Sequence, residues 1–145
     1  MRKSRILTVF LALAVVFTMS FAALPAYAAS GTAITSVDDL KAMENNPGGS
    51  YYLANDIEVP EGLSLFTDSR TPFTGTFDGN GHKITGVSFQ GNADQGLFGG
   101  NSGTVKNLGI EGTLIQGKRD TGTIAGWNSG TILNCYAVCD VLTPG

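Results

Sequence analysis

Phe98-Gly99-Gly100-Asn101-Ser102-Gly103-Thr104-Val105 and Ala125-Gly126-Trp127-Asn128-Ser129-Gly130-Thr131-Ile132 align without a gap, 27 residues apart. A third segment, Phe77-Asp78-Gly79-Asn80-Gly81-His82-Lys83-Ile84, aligns 21 residues before the first. Each has an apolar residue, a glycine-rich corner centred on Asn, and a β-branched residue that opens a strand. Self-similarity at such spacing is the signature of a repeat architecture. Asn80, Asn101 and Asn128 form one column in this alignment, where side-chain amides can hydrogen-bond along a ladder.

The alignment runs past the corner. Ile84, Val87 and Phe89 recur as Val105, Leu108 and Ile110, and again as Ile132, Cys135 and Ala137. The apolar steps are three and then two. A straight strand alternates with period two, so the step of three requires a bend. Gly86, Asn107 and Asn134 occupy that bend, and these residue types tolerate left-handed backbone. Ala54, Ile57 and Val59, with Asp56 at the bend, make an earlier copy.

Four copies of strand, bend and strand, spaced 30, 21 and 27 residues apart, predict a solenoid. One coil cannot bury its own apolar face, whereas stacked coils bury a continuous core. The expected fold is all-β: a short right-handed parallel β-helix. Its inward columns are Ala54, Ile84, Val105 and Ile132; Ile57, Val87, Leu108 and Cys135; and Val59, Phe89, Ile110 and Ala137. Phe77, Phe98 and Ala125 fill a further side. A β-sandwich also has short strands and turns, but its hairpins give no reason for Asn to recur at one corner.

Before the repeats the chain changes character. Arg2, Lys3 and Arg5 precede an apolar run from Ile6 to Leu24, then Pro25 and Ala26-Tyr27-Ala28. This is the grammar of a signal peptide cleaved after Ala28. No second apolar stretch is long enough to span a bilayer. Next, Ser36 is placed to cap a short helix with Asp38 and Asp39 in its first turn. Leu40 and Met43 give that helix an apolar side, and Asn45-Asn46-Pro47-Gly48-Gly49 stops it. The helix is expected to cover one end of the solenoid. The chain therefore divides into a signal peptide (1–28), a linker with capping helix (29–49) and glycine-rich coils (50–145). Val141-Leu142-Thr143-Pro144-Gly145 follows a strand with no such cover. Self-association through that end, or membership of a longer product, is expected.

Cleavage leaves 117 of the 145 residues, with six basic and twelve acidic side chains, a net charge of −6. An acidic surface argues against nucleic acid and anionic membranes as partners. All 20 glycines lie in this part. Cys135 and Cys139 are four apart, about 13 Å in a strand, while a disulfide needs Cα atoms within about 7 Å. Cys135 is read as a small core residue.

Gly96-Leu97-Phe98-Gly99 followed by Asn101-Ser102-Gly103-Thr104-Val105-Lys106-Asn107-Leu108 resembles the GLUG repeat. Gly122-Thr123-Ile124-Ala125-Gly126 followed by Asn128-Ser129-Gly130-Thr131-Ile132-Leu133-Asn134-Cys135 resembles it too, though without the Gly-Leu-x-Gly core. Phe73-Thr74-Gly75-Thr76-Phe77-Asp78-Gly79-Asn80-Gly81-His82-Lys83-Ile84 is similar to the segment that precedes such repeats. The resemblance covers residues 34 to 138. It implies a bacterial secreted or cell-surface protein, adhesin-like, with repeats also found in non-catalytic regions of immunoglobulin A metallopeptidases. It transfers no chemistry.

The residues themselves offer little chemistry. His82 is the single histidine, without a G-x-S-x-G elbow or an H-E-x-x-H pair. It is read as a turn residue. Asp78-Gly79-Asn80-Gly81 lacks the further ligands of a calcium loop, so no metal and no cofactor are expected. A polysaccharide-cleaving site would need converging carboxylates. Its candidates are Asp56, Asp78 and Asp94, with Arg70, Lys83 and Lys106 as helpers, and their register scatters them. Trp127 falls at an outward corner beside Asn128, where an indole can stack on a sugar or a protein. The expected role is a non-enzymatic secreted or cell-surface module for adhesion, binding or spacing, contacting a glycan or a host or cell-surface protein. The alternatives are a small carbohydrate-active enzyme, lyase or hydrolase, and a truncated fragment of a larger surface protein.

Overall fold

The computed structural model describes residues 28–68, 70–89, 95–115 and 120–142, and the side chains of all of these except 113–115 and 141–142. The expected signal peptide, apart from Ala28, lies outside the described residues, as do Asp94 and Pro144.

The described chain is almost entirely strand and turn. In order it forms β1 (Thr32–Ile34), α1 (Val37–Ala42), β2 (Ser50–Leu53), β3 (Ile57–Glu58), β4 (Thr76–Asp78), β5 (Lys83–Phe89), β6 (Phe98–Asn101), β7 (Thr104–Lys106), β8 (Gly109–Ile115), β9 (Ala125–Asn128), β10 (Thr131–Leu133) and β11 (Tyr136–Leu142). Three sheets result, ordered β1-β2-β4-β7-β10, β11-β8-β5-β3 and β6-β9. Every pairing within them is parallel. From β4 onward, successive strands go to the first, second and third sheet in turn, then the cycle repeats.

Ser36 caps α1 as its sequence position predicts. Its side chain accepts from the Asp39 N–H, and Asp39 returns the bond to the Ser36 backbone. This reciprocal pair satisfies donors that a helix start leaves open. Leu40 and Met43 are fully buried in the common core. Below them Phe66, Phe73, Phe77 and Phe98 pack ring against ring, with centroid separations of 5.2 Å for Phe73–Phe98 and 5.5 Å for Phe77–Phe98.

The register corrects the columns read from sequence. Phe77 pairs with Val105, and Val105 with Ile132. Ile84 pairs instead with Ile57 and Ile110, and Ile110 with Ala137. Val87 faces Gly112 and Phe89 faces Leu114. The 27-residue offset between the last two copies holds, with Phe98 opposite Ala125. The 21-residue offset does not, because Phe77 and Phe98 lie in different sheets. Two corners of similar composition sit on different sides of the repeat, and a gapless alignment equates them. Ala54, expected inward, is exposed. Ile132 and Ala137 are exposed as well, since β10 and β11 each have a neighbouring strand on one side only among the described residues.

Gly103 shows why the corners need glycine. A Cβ there would overlap the Gly75 carbonyl, and one on Gly130 would overlap that of Gly103. These carbonyls accept from Thr104 N at 2.9 Å and Thr131 N at 2.8 Å, so the backbones stack at hydrogen-bond distance.

Candidate functional site

The asparagines sort into two ladders. Asn101 is fully buried, and its Nδ2 donates to Asn128 Oδ1 at 2.7 Å while its Oδ1 accepts from Gly103 N at 3.1 Å. Asn134 Nδ2 donates to Asn107 Oδ1 at 2.8 Å, and Asn107 Nδ2 donates to Asp78 Oδ1 at 2.9 Å. Asn107 and Asn134 have φ of 53° and 52°, the left-handed backbone that Asn tolerates. Asn80 belongs to neither ladder. It turns left-handed at φ 52° and donates to the Leu53 carbonyl at 3.2 Å. The bend read at Gly86 is a bulge inside β5, where its φ of 79° admits close approach to Val59 O. Asp56 stands elsewhere again, against His82 and Lys83.

Trp127 lies opposite Gly100, with its Cε3 3.6 Å and Pro72 Cβ 3.2 Å from where a Gly100 Cβ would stand. It remains 41% exposed. The Asn128 amide is occupied: besides Asn101 it serves the Gly130 carbonyl, to which its Nδ2 donates at 3.3 Å. Of the two residues expected to form a contact surface, only Trp127 presents its side chain free of corner bonds.

The acids are held one by one. Asp78 is buried and pairs with Lys106 at 3.2 Å. Burial pushes its carboxyl up, but the bonds from Asn107, Asn80 N and Lys106 outweigh this and hold it below the ordinary value of 3.8. Asp56 is lowered by the Lys83 N–H first and His82 second. Glu111 binds Lys83 at 3.1 Å and raises the ammonium above its ordinary value. Among the described residues, no group of three or more His, Cys, Asp or Glu is placed to hold a metal ion. Cys135 and Cys139 are free, half-buried thiols.

Concave surfaces also occur among the described residues. A trough of about 530 Å³ runs along Ser50, Thr74, Thr76, Ser102, Thr104, Ser129 and Thr131, floored by glycines. A cleft of about 220 Å³ is lined by Gly81, His82, Asn107, Leu108, Gly109, Asn134 and Tyr136. Sequence reasoning set His82 aside as a turn residue and passed over Tyr136. Their one shared signal is register, since Lys83, next to His82, lies in line with Gly109 and Tyr136.

The chain is similar to part of Halomucin from Haloquadratum walsbyi. The two are 35% identical over 136 residues, covering 77% of this chain. The chain spans 2% of that relative's length. No protein-family model matches the chain, and no solved structure does. Along the described residues, no helix is long and apolar enough to cross a membrane.

Proposed function

We propose that the chain is a non-enzymatic secreted or cell-surface module, built as a short parallel β-helix of GLUG-like repeats and serving adhesion or spacing. The observation that carries this reading is the register of successive repeats. Phe77, Val105 and Ile132 line up in one sheet, while Ile84, Ile110 and Ala137 line up in the next. A chain that visits three parallel sheets in rotation is read as winding around the core between them, and right-handed crossovers are the rule for parallel strands. The signal-peptide grammar of residues 1–28 supports export. The likeness to a small part of a far longer protein is compatible with a module of a larger chain.

Trp127 is the proposed contact. An indole beside a glycine offers an apolar plate at low entropic cost. Its occupant is a glycan or another surface protein. Residues 29–145, displayed to a glycan array and to immobilised surface polysaccharide, test the reading. Binding that falls to background in Trp127→Ala, with an unchanged far-UV spectrum, supports it. Binding insensitive to Trp127 removes that contact from the proposal.

A further inference from the structure

We infer that the cleft between His82 and Tyr136 binds a neutral sugar ring, as the end or branch of a glycan. The inference rests on the reading of the chain as a surface binding module and adds a second contact. Trp127 belongs to β9, whereas this cleft lies where β5, β8 and β11 begin.

Tyr136 provides the platform. Lys83, Gly109 and Tyr136 occupy one row across three neighbouring strands. A Cβ on Gly109 would overlap the Tyr136 ring at Cζ and Oη, so the phenol lies directly on the glycine backbone. The outer part of the ring is thus supported while the residue stays 52% exposed. A fixed aromatic plate with a polar tip matches a pyranose, whose faces are apolar and whose rim is hydroxyl.

His82 and Asn134 provide the rim contacts. His82 Nδ1 meets Asp56 Oδ1 at 3.1 Å, and Asp56 is itself held by Lys83 N at 3.1 Å. In the tautomer whose Nδ1–H donates to the carboxylate, Nε2 is an acceptor for a hydroxyl. The Asn134 Nδ2 is engaged by Asn107, which leaves its carbonyl oxygen as a second acceptor. Charge selects the ligand class. The lining residues of the cleft include no Lys or Arg, and the neighbouring Lys83 is paired with Glu111. The lining therefore offers no ammonium or guanidinium to a phosphate or carboxylate. Its volume of about 220 Å³ falls below the range of about 300–1,000 Å³ typical for drug-sized ligands, which suits a single ring.

Amide NMR titration of residues 29–145 with glucose, galactose, mannose and N-acetylglucosamine tests the site. Shifts centred on Gly81, His82, Gly109 and Tyr136 with at least one sugar are expected. Tyr136→Ala and His82→Ala each weaken binding by about tenfold or more, whereas Tyr136→Phe, which keeps the plate, and Trp127→Ala retain it. Retention in Tyr136→Phe answers any loss of folding in Tyr136→Ala. No shift around the cleft with any of the sugars overturns the proposal. So do shifts that vanish in Trp127→Ala, which would place sugar binding on β9 and leave the module reading standing. A sugar that binds at the cleft and is converted to a new product overturns the non-enzymatic reading and leaves the site in place.

Discussion

Asn107 donates its side-chain N–H to the buried carboxylate of Asp78 at 2.9 Å, from a residue whose own backbone is left-handed. One residue thus makes the bend and satisfies the acid beneath it. Asn107→Gly keeps the backbone and loses the bond. Asn107→Ala loses both. Each removes one bond to a carboxylate that keeps Asn80 N and Lys106, a loss of about 1.5–3 kcal/mol for a bond to a charged group. Chemical denaturation is expected to rank the wild type above Asn107→Gly, and Asn107→Gly above Asn107→Ala by about a further 1 kcal/mol. Equal stability of the two variants would show that the left-handed turn is not strained.

The same acid sets a dependence on pH. Its folded carboxyl ionises below the ordinary value of 3.8. A lowered pKa means that the unfolded chain binds the proton more readily, so acid favours unfolding. The contribution of Asp78 is complete above that ordinary value and is lost as pH falls through the folded one. Acid titration of stability is expected to show a shallower loss in Asp78→Asn than in the wild type. An unchanged slope would assign acid unfolding to other carboxylates.

Glycine substitutions separate space from backbone conformation. Gly103→Ala drives a methyl into the Gly75 carbonyl and is expected to cost more than about 3 kcal/mol or to prevent folding. At Gly62 the φ is 77° but nothing lies within 4 Å, so Gly62→Ala bears only the left-handed penalty of about 1–2 kcal/mol. Thermal melts of the two variants check the order.

At the other end of the fold, Ser36→Ala removes the acceptor of the Asp39 N–H and is expected to cost about 1 kcal/mol. Hydrogen exchange should show α1 opening more often while the strands keep their protection. Uniform loss of protection would mean that α1 and the sheets open as one unit.

Much of this architecture was legible beforehand. The parity break between Val105 and Leu108 announced the bend at Asn107, and Asn134 repeats it 27 residues later. Ser36 with Asp39 announced α1. Register was harder. Phe77-Asp78-Gly79-Asn80-Gly81 looks like Phe98-Gly99-Gly100-Asn101, but its strand pairs with Val105. Corner chemistry repeats wherever the backbone must turn, so composition marks a corner without saying which one. Burial distinguishes them: Asn101 is enclosed, whereas Asn80 is exposed. The His82 cleft was hidden for a related reason. It is assembled from residues 81 to 136, and no local motif spans that distance.

The glycine stack has a consequence for how such a chain can change length. Thr76 N, Thr104 N and Thr131 N bond to Gly49 O, Gly75 O and Gly103 O in turn, so each rung is seated on the one before by the same backbone bond. Each rung needs glycine there, since a Cβ on Gly75, Gly103 or Gly130 would overlap the carbonyl of the rung before. Duplicating or deleting a whole rung leaves the joint intact, while gaining or losing a single residue there breaks it. On the proposed spacing role, reach would change by recombination in whole-unit steps, with point mutation left to diversify the faces.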